Sequence, residues 1–199
     1  MFINEGALKR QIKKAYKSGW LTVADRTGML YIAGATWAMS IDKEAVTNKT
    51  KAALIELIGE IPTGGDAYKY SETEAQQVFS ESLRDLDLDT YVETEGQTYR
   101  ETRVTVQSSD GEGLYIQGDD LSHYIVSKEV YAMFDQGAVN KDLGELMPEP
   151  AKMRDDYLIW GNNVMALMIF AKDNPKWEGE YDFIKAVQGI DLCWLFTEK

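Results

Sequence analysis

Side chains suited to covalent or metal chemistry are scarce in this chain. His123 is the single histidine and Cys193 the single cysteine among 199 residues. One histidine rules out histidine-based zinc sites and leaves little room for a Ser/His/Asp or Cys/His relay. It can still act as a solitary general base, but beside Tyr124 it reads as a polar strand residue. A lone cysteine forms no internal disulfide, and Leu192, Trp194 and Leu195 around it predict burial as a small apolar residue. The carboxylate pairs Asp119-Asp120 and Asp155-Asp156 have the right type for acid/base or metal work. Adjacent residues on a predicted strand point to opposite faces, however, so neither pair is a ready site. Asp85-x-Asp87-x-Asp89 opens like a calcium loop, yet Thr90 and Gly96 stand where that loop needs glycine and a bidentate glutamate. The glycines of residues 108–113 lack the Gly-Lys-Ser/Thr of a phosphate loop. No catalytic signature, metal set or cofactor motif emerges, and a non-enzymatic protein without a cofactor is expected.

The remaining chemistry is electrostatic, and it points two ways. Leu8, Ile12, Ala15 and Tyr16 share one face of a predicted helix over 7–17, leaving Lys9, Arg10, Lys13, Lys14 and Lys17 on the rest of its surface. Lys49 and Lys51 add charge at the start of a second predicted helix. The five cations of the first helix are either a solvated face, with charges well placed near that helix's C-terminus, or a surface for nucleic-acid phosphates, to which Lys49 and Lys51 would add. The whole chain carries −12 with a pI near 4.6, which opposes indiscriminate binding to nucleic acid or anionic membrane. Its acids concentrate at Asp85, Asp87, Asp89, Glu93 and Glu95, and again at Asp119 and Asp120. That set is the candidate surface for an alternative reading, in which the protein imitates the charge of DNA and occupies a basic site on another protein.

These groups must be positioned by a folded chain. Apolar content of 44% and only 4 prolines argue for a packed core. No apolar run approaches the roughly 18 residues needed to span a bilayer. The start Met1-Phe2-Ile3-Asn4-Glu5 lacks a basic segment followed by an apolar one, so no membrane partner and a cytoplasmic location are expected. A short strand is predicted over 1–6, then three strands over 20–24, 29–33 and 36–41 with glycine-containing turns. A helix over 49–59 follows, capped by Asn48 and stopped by Gly59, then strands over 67–70 and 76–79. Residues 80–96 read as an acidic connector whose Leu/Asp alternation suits a half-buried strand or linker. Further strands are predicted over 98–107, 113–117 and 121–126, a helix from the Ser127 cap to about Gln136, and a hairpin over 157–160 and 164–170 turning at Gly161-Asn162-Asn163. A last helix over 181–188 and strand over 190–196 complete the pattern. Trp37, Trp160 and Trp177 are either exposed interface anchors or, as is commoner for aromatics near turns, incompletely buried core residues.

Much of this pattern occurs twice. Leu21-Thr22-Val23, Gly28 to Gly34, Ile41 to Val46 and Ile58 to Pro62 find counterparts in Val104-Thr105-Val106, Gly113 to Gly118, Val126 to Val130 and Leu143 to Pro148. The offset is 83 at Leu21/Val104, 84 at Leu30/Leu114 and 85 at Lys43/Lys128 and Ile58/Leu143. Four blocks in one order at a nearly constant offset suggest duplication. The alternative is two unrelated antiparallel hairpins built from strand-forming residues. The expected fold is α+β, mostly antiparallel sheet with helices on one face, in two tandem repeats: 1–80, a connector over 81–97, and 98–199.

The order strand, basic amphipathic helix, meander, helix, hairpin over 1–79 resembles a domain of the DNA sliding clamps, the ring-shaped polymerase processivity factors. The resemblance implies sheets outside and helices inside, with Lys9, Arg10, Lys13, Lys14, Lys17, Lys49 and Lys51 facing the duplex. It implies a replication protein as partner and no chemistry of the ring itself. Since clamp rings hold six domains, two repeats per chain imply a homotrimer. The second unit departs from the pattern, because residues 80–88 are acidic with only Arg84 positive. Two functions from different classes follow: a clamp-like protein of a phage or mobile element that tethers a replication protein to DNA, or an acidic inhibitor of a basic nucleic-acid enzyme, for example in anti-defence.

Overall fold

A computed structural model of the protein describes residues 1–26, 28–79, 83–108, 111–172, 186 and 189–193. Helix α1 (Glu5–Lys17) begins at Asn4, whose side chain accepts from the Ala7 N–H. Glu5 in its first turn and Lys14 and Lys17 in its last both oppose the helix dipole. Ala7, Leu8, Gln11, Ile12 and Ala15 are its buried stripe. Strands β1 (Leu21–Arg26), β2 (Met29–Ala33) and β3 (Trp37–Asp42) follow as an antiparallel meander. The turn into β3 depends on Gly34, where a Cβ would lie 2.5 Å from Trp37 Nε1. Helix α2 (Asn48–Ile58) starts one residue earlier than predicted, because Thr47 rather than Asn48 is the cap and accepts from the Thr50 N–H. Strands β4 (Ala67–Tyr70) and β5 (Ala75–Gln77) end the first half.

The second half contains a one-turn helix α3 (Thr90–Glu93), then β6 (Thr98–Ser108), β7 (Gly111–Gly118) and β8 (His123–Ser127) as another meander. Ser127 does cap a helix, but α4 (Lys128–Tyr131) stops after one turn. The chain is pulled out of the helix there by long-range pairing: Phe134 bridges to Ile3, and the Asn4 N–H donates to the Met133 carbonyl at 2.8 Å. That bridge is all that remains of the strand predicted over 1–6. Strands β9 (Ala151–Arg154), β10 (Tyr157–Gly161) and β11 (Met165–Lys172) follow. The helix predicted over 181–188 falls outside the described residues except at 186; residues 190–193 are irregular chain and turn rather than the predicted strand, and 194–196 fall outside the described residues.

The eleven strands among the described residues belong to one antiparallel sheet, in the order β10-β9-β6-β7-β8-β11-β3-β2-β1-β4-β5, with β10 also paired to β11. One edge of β11 takes β10. Its other edge takes β3 over Met165–Ile169 and then β8 at Ala171 and Lys172. Alternating residues serve two apolar layers. Val23, Leu30, Ile32, Met39, Leu114, Ile116 and Leu167 face the layer that includes Leu8, Ile12 and Leu54 of the helices. Ala24, Tyr31, Ala38, Ile159 and Met168 face the opposite layer, which Leu86 and Tyr91 cover. No helix among the described residues is long and apolar enough to cross a membrane.

The two stretches suspected as copies correspond over only part of their length. Leu30 and Leu114 both lie on the middle strand of a meander, opposite Ile41 and Val126, a pair that keeps the offset of 85. The first block does not keep its place. Leu30 pairs with Asp25 whereas Leu114 pairs with Thr105, and β6 carries an irregularity between Glu101 and Thr105. The last block also differs: Ile58 ends an 11-residue helix, whereas Leu143 ends a three-residue 3-10 turn and is 76% exposed. A shared meander is common ground for any antiparallel sheet, and it does not establish a copied unit. Trp37 and Trp160 are buried core residues rather than exposed anchors, and among the described residues the exposed indole is Trp20. Trp177 lies outside the described residues.

Candidate nucleic-acid interface

Helix geometry sorts the five cations of α1 before any contact is considered. At about 100° per residue, Lys9 and Lys13 lie toward one edge of the polar face, Lys14 toward the other, and Arg10 and Lys17 along its middle. The neighbours match this division. On one side lies α2, where Glu56 accepts from Lys9 at 2.8 Å through Oε2 and from Lys13 at 3.0 Å through Oε1. On the other lies α4, where Glu129 accepts from Lys14 at 2.6 Å. Both lysine hydrogen bonds, Lys9 first, hold the Glu56 carboxyl below its ordinary value. Lys49 pairs with Glu5 at 3.3 Å, and the Thr47 hydroxyl donates to the same carboxylate, joining the two helix N-termini.

Of the seven predicted cations, Lys9, Lys13, Lys14 and Lys49 are therefore paired within the chain, while Arg10, Lys17 and Lys51 form no ion pair among the described residues. Arg10, Lys13, Lys14, Lys17 and Ser18 line a shallow groove of about 530 Å³ along the outside of α1. Sequence reasoning placed these side chains on the correct helix face but missed Glu56 and Glu129. No periodicity links α1 to residues more than forty positions away.

The acidic candidates are dispersed by contrast. Asp85 lies 3.8 Å from Arg26 and 3.6 Å from Arg154. Asp87 accepts from the N–H groups of Asp89 and Thr90 and fixes the turn into α3. Asp119 accepts from Thr98, and Asp120 accepts from the Ser122 N–H, so this pair sits in the β7–β8 turn rather than on the predicted strand. Ser122 holds the Asp120 carboxyl below its ordinary value. Asp155 and Asp156 likewise form the β9–β10 turn. Asp89, Glu93 and Glu95 point outward on the connector, which is irregular chain and α3 rather than the strand that its Leu/Asp alternation also suits.

His123 lies on β8 as expected. Cys193 is half-buried rather than buried, and desolvation pushes its thiol up. Among the described residues no group of three His, Cys, Asp or Glu side chains can hold a metal ion. A second cleft of about 340 Å³ lies between α1, α4 and the fork where β3 and β8 meet β11, floored by Trp37, Val126 and Ile169. It contains no cluster of titratable groups suited to catalysis.

No protein-family model and no curated protein matches this chain. Among solved structures it is similar to the beta subunit of DNA polymerase III from Thermotoga maritima, with 11% identity and a TM-score of 0.38 over 90% of this chain and 66% of that one. A structure from Eubacterium rectale assigned as a DNA polymerase III beta subunit shares 8% identity at a TM-score of 0.38, over 95% of this chain and 67% of that one. The beta subunit of the Streptococcus pyogenes DNA polymerase shares 7% identity at a TM-score of 0.38, over 90% and 66%. The chain thus spans about two thirds of the length of these structures, and the likeness is one of general fold.

Proposed function

We propose that the chain is a non-enzymatic, clamp-like protein of a phage or mobile-element replication system, tethering a replication protein to DNA through its α1–α2 layer. The observation that carries this reading is the segregation of charge. In a chain of −12, two adjacent helices on one face of the sheet hold seven cations against two carboxylates. Cations spread along rigid helices release counterions from a phosphate backbone and do not read bases, which suits a tether indifferent to sequence. Arg10 and Lys17, at the middle of the face, make the first contacts. A ring of this kind is a homo-oligomer, and a trimer is the expected closed form.

The acidic alternative has weaker support, because its carboxylates are dispersed over the connector and the β7–β8 turn rather than gathered on one rigid face. The test is duplex binding by the full chain carrying Arg10→Glu and Lys17→Glu, measured across salt concentrations. Losing two phosphate contacts should flatten the log–log salt dependence by about 2 and weaken binding roughly tenfold or more. Unchanged affinity and slope in a folded variant would remove the basis for the proposal. Solution mass with and without DNA reports separately on ring formation.

A further inference from the structure

The arrangement around α1 contains more than a basic surface. Building on the DNA-tethering reading, we infer that Glu56 and Glu129 are resident competitors for phosphate, carboxylates that occupy Lys9, Lys13 and Lys14 until a polyanion displaces them. Glu56 gives one oxygen to each of two lysines, at 2.8 and 3.0 Å, from a separate helix. Glu129 takes Lys14 at 2.6 Å from the opposite side. The side chains in these pairs are between 41% and 64% exposed, so they are accessible to an incoming ligand. Arg10 and Lys17 between them have no such partner among the described residues.

A carboxylate and a phosphate oxygen are equivalent acceptors for a lysine ammonium, whose rotatable stem lets it exchange one for the other. Exposed ion pairs are weak, so the exchange costs little. A single small anion nevertheless gains little against a carboxylate tethered at high effective concentration. A duplex presents many phosphates together and is recruited first by Arg10 and Lys17, after which the three lysines can transfer to it. Glu56 and Glu129 thus set the charge density a ligand needs and reduce the net counterion release on binding. The ligand class selected is a densely charged polyanion over free phosphate or a mononucleotide.

The experiment measures binding of a short duplex and of inorganic phosphate by the full chain, as Glu56→Gln, Glu129→Gln and the double variant, between about 50 and 200 mM salt. Glu60→Gln, which removes a neighbouring exposed charge that pairs with no α1 lysine, is the control. Glu56→Gln should tighten duplex binding roughly twofold to fivefold. It should also steepen the salt dependence by about 1 to 2, with Glu60→Gln unchanged in slope. An independent readout is carbon-13 titration of the Glu56 carboxyl, which should fall below its ordinary midpoint in the free protein and rise when duplex is added. A duplex-binding wild type whose affinity and slope respond equally to Glu56→Gln and Glu60→Gln overturns the competitor role alone. An ordinary Glu56 midpoint in the free protein overturns it without reference to DNA. Absence of duplex binding by every form at low salt overturns the tethering reading and this inference with it.

Discussion

Gln117 is 3% exposed and uses its whole amide. Its Oε1 accepts from the Leu192 N–H at 2.7 Å, while Nε2 donates to the Ile190 carbonyl at 2.8 Å and contacts His123 Nε2 at 2.9 Å. The two backbone partners fix which end of the amide is which, so His123 Nε2 must accept and its proton must reside on Nδ1. Burial pulls the His123 pKa below 6.5, with Asp120 opposing the shift. The folded imidazole therefore stays neutral at pH values where the unfolded one is charged. Stability from this group is present above 6.5 and is lost as pH falls below it toward the folded value. Once exchange is divided by the intrinsic rate, which itself falls with pH, protection of the Leu192 amide should decrease on acidification through that window, and His123→Gln should abolish this change. Equal Leu192 protection on both sides of the window would contradict the assigned tautomer. The sequence identified His123 as a polar strand residue, and it placed the cations of α1 on an exposed face. What it could not supply were Leu192 for Gln117 and Glu56 for Lys13, because those partners depend on distant chain segments coming together.

At the level of elements, the segment over 83–91 shows where local pattern misdirects. Its acids are conspicuous in the sequence, but its attachment rests on Arg84 and Leu86. The Arg84 guanidinium donates to the carbonyls of Ala35 at 2.9 Å and of Gly34 and Trp37 at 3.3 Å, and it lies 4.9 Å from the Tyr157 ring centroid. Leu86 is fully buried in the apolar layer that contains Tyr31 and Ala38. Asp85 is 67% exposed and holds its two arginines only at 3.6 and 3.8 Å. Arg84→Ala should therefore cost about 2 kcal/mol in urea denaturation, through the Gly34 and Ala35 carbonyls that lose this donor and through lost packing, the Trp37 carbonyl keeping the Gly34 N–H. Asp85→Asn should cost less than about 1 kcal/mol. Similar losses for both would show that the acids anchor the segment after all. Elements with strong local signals were legible almost to their ends: α1 by its apolar stripe, and β1 to β3 by β-forming runs between glycine turns. Strand β9 was not, since Ala151-Lys152-Met153-Arg154 is short, follows Pro148 and Pro150, and has little apolar alternation. It is a strand because β6 and β10 pair with it, a tertiary cause that overrides local preference.

For the molecule as a whole, β11 decides whether the two halves act separately. It joins β3 of the first meander to β8 of the second, and its other edge returns through β10 and β9 to β6, so the second meander lies within a closed path of strands. Leu167 and Ile169 are fully buried in the layer that also contains Ile32 and Ile116. Loosening β11 therefore exposes both meanders together, and the chain should unfold in one cooperative step. Leu167→Ala tests this by leaving a cavity at the junction, at a cost of about 2–5 kcal/mol. Amide exchange at Ile32 on β2 and Ile116 on β7 should then accelerate by the same free energy, although the two residues lie in different halves of the chain. If Ile32 kept its protection while Ile116 lost it, the first meander with its two helices would be an independent folding unit. Pairing of β11 with β3 would then be a docking contact between two units rather than the centre of one sheet.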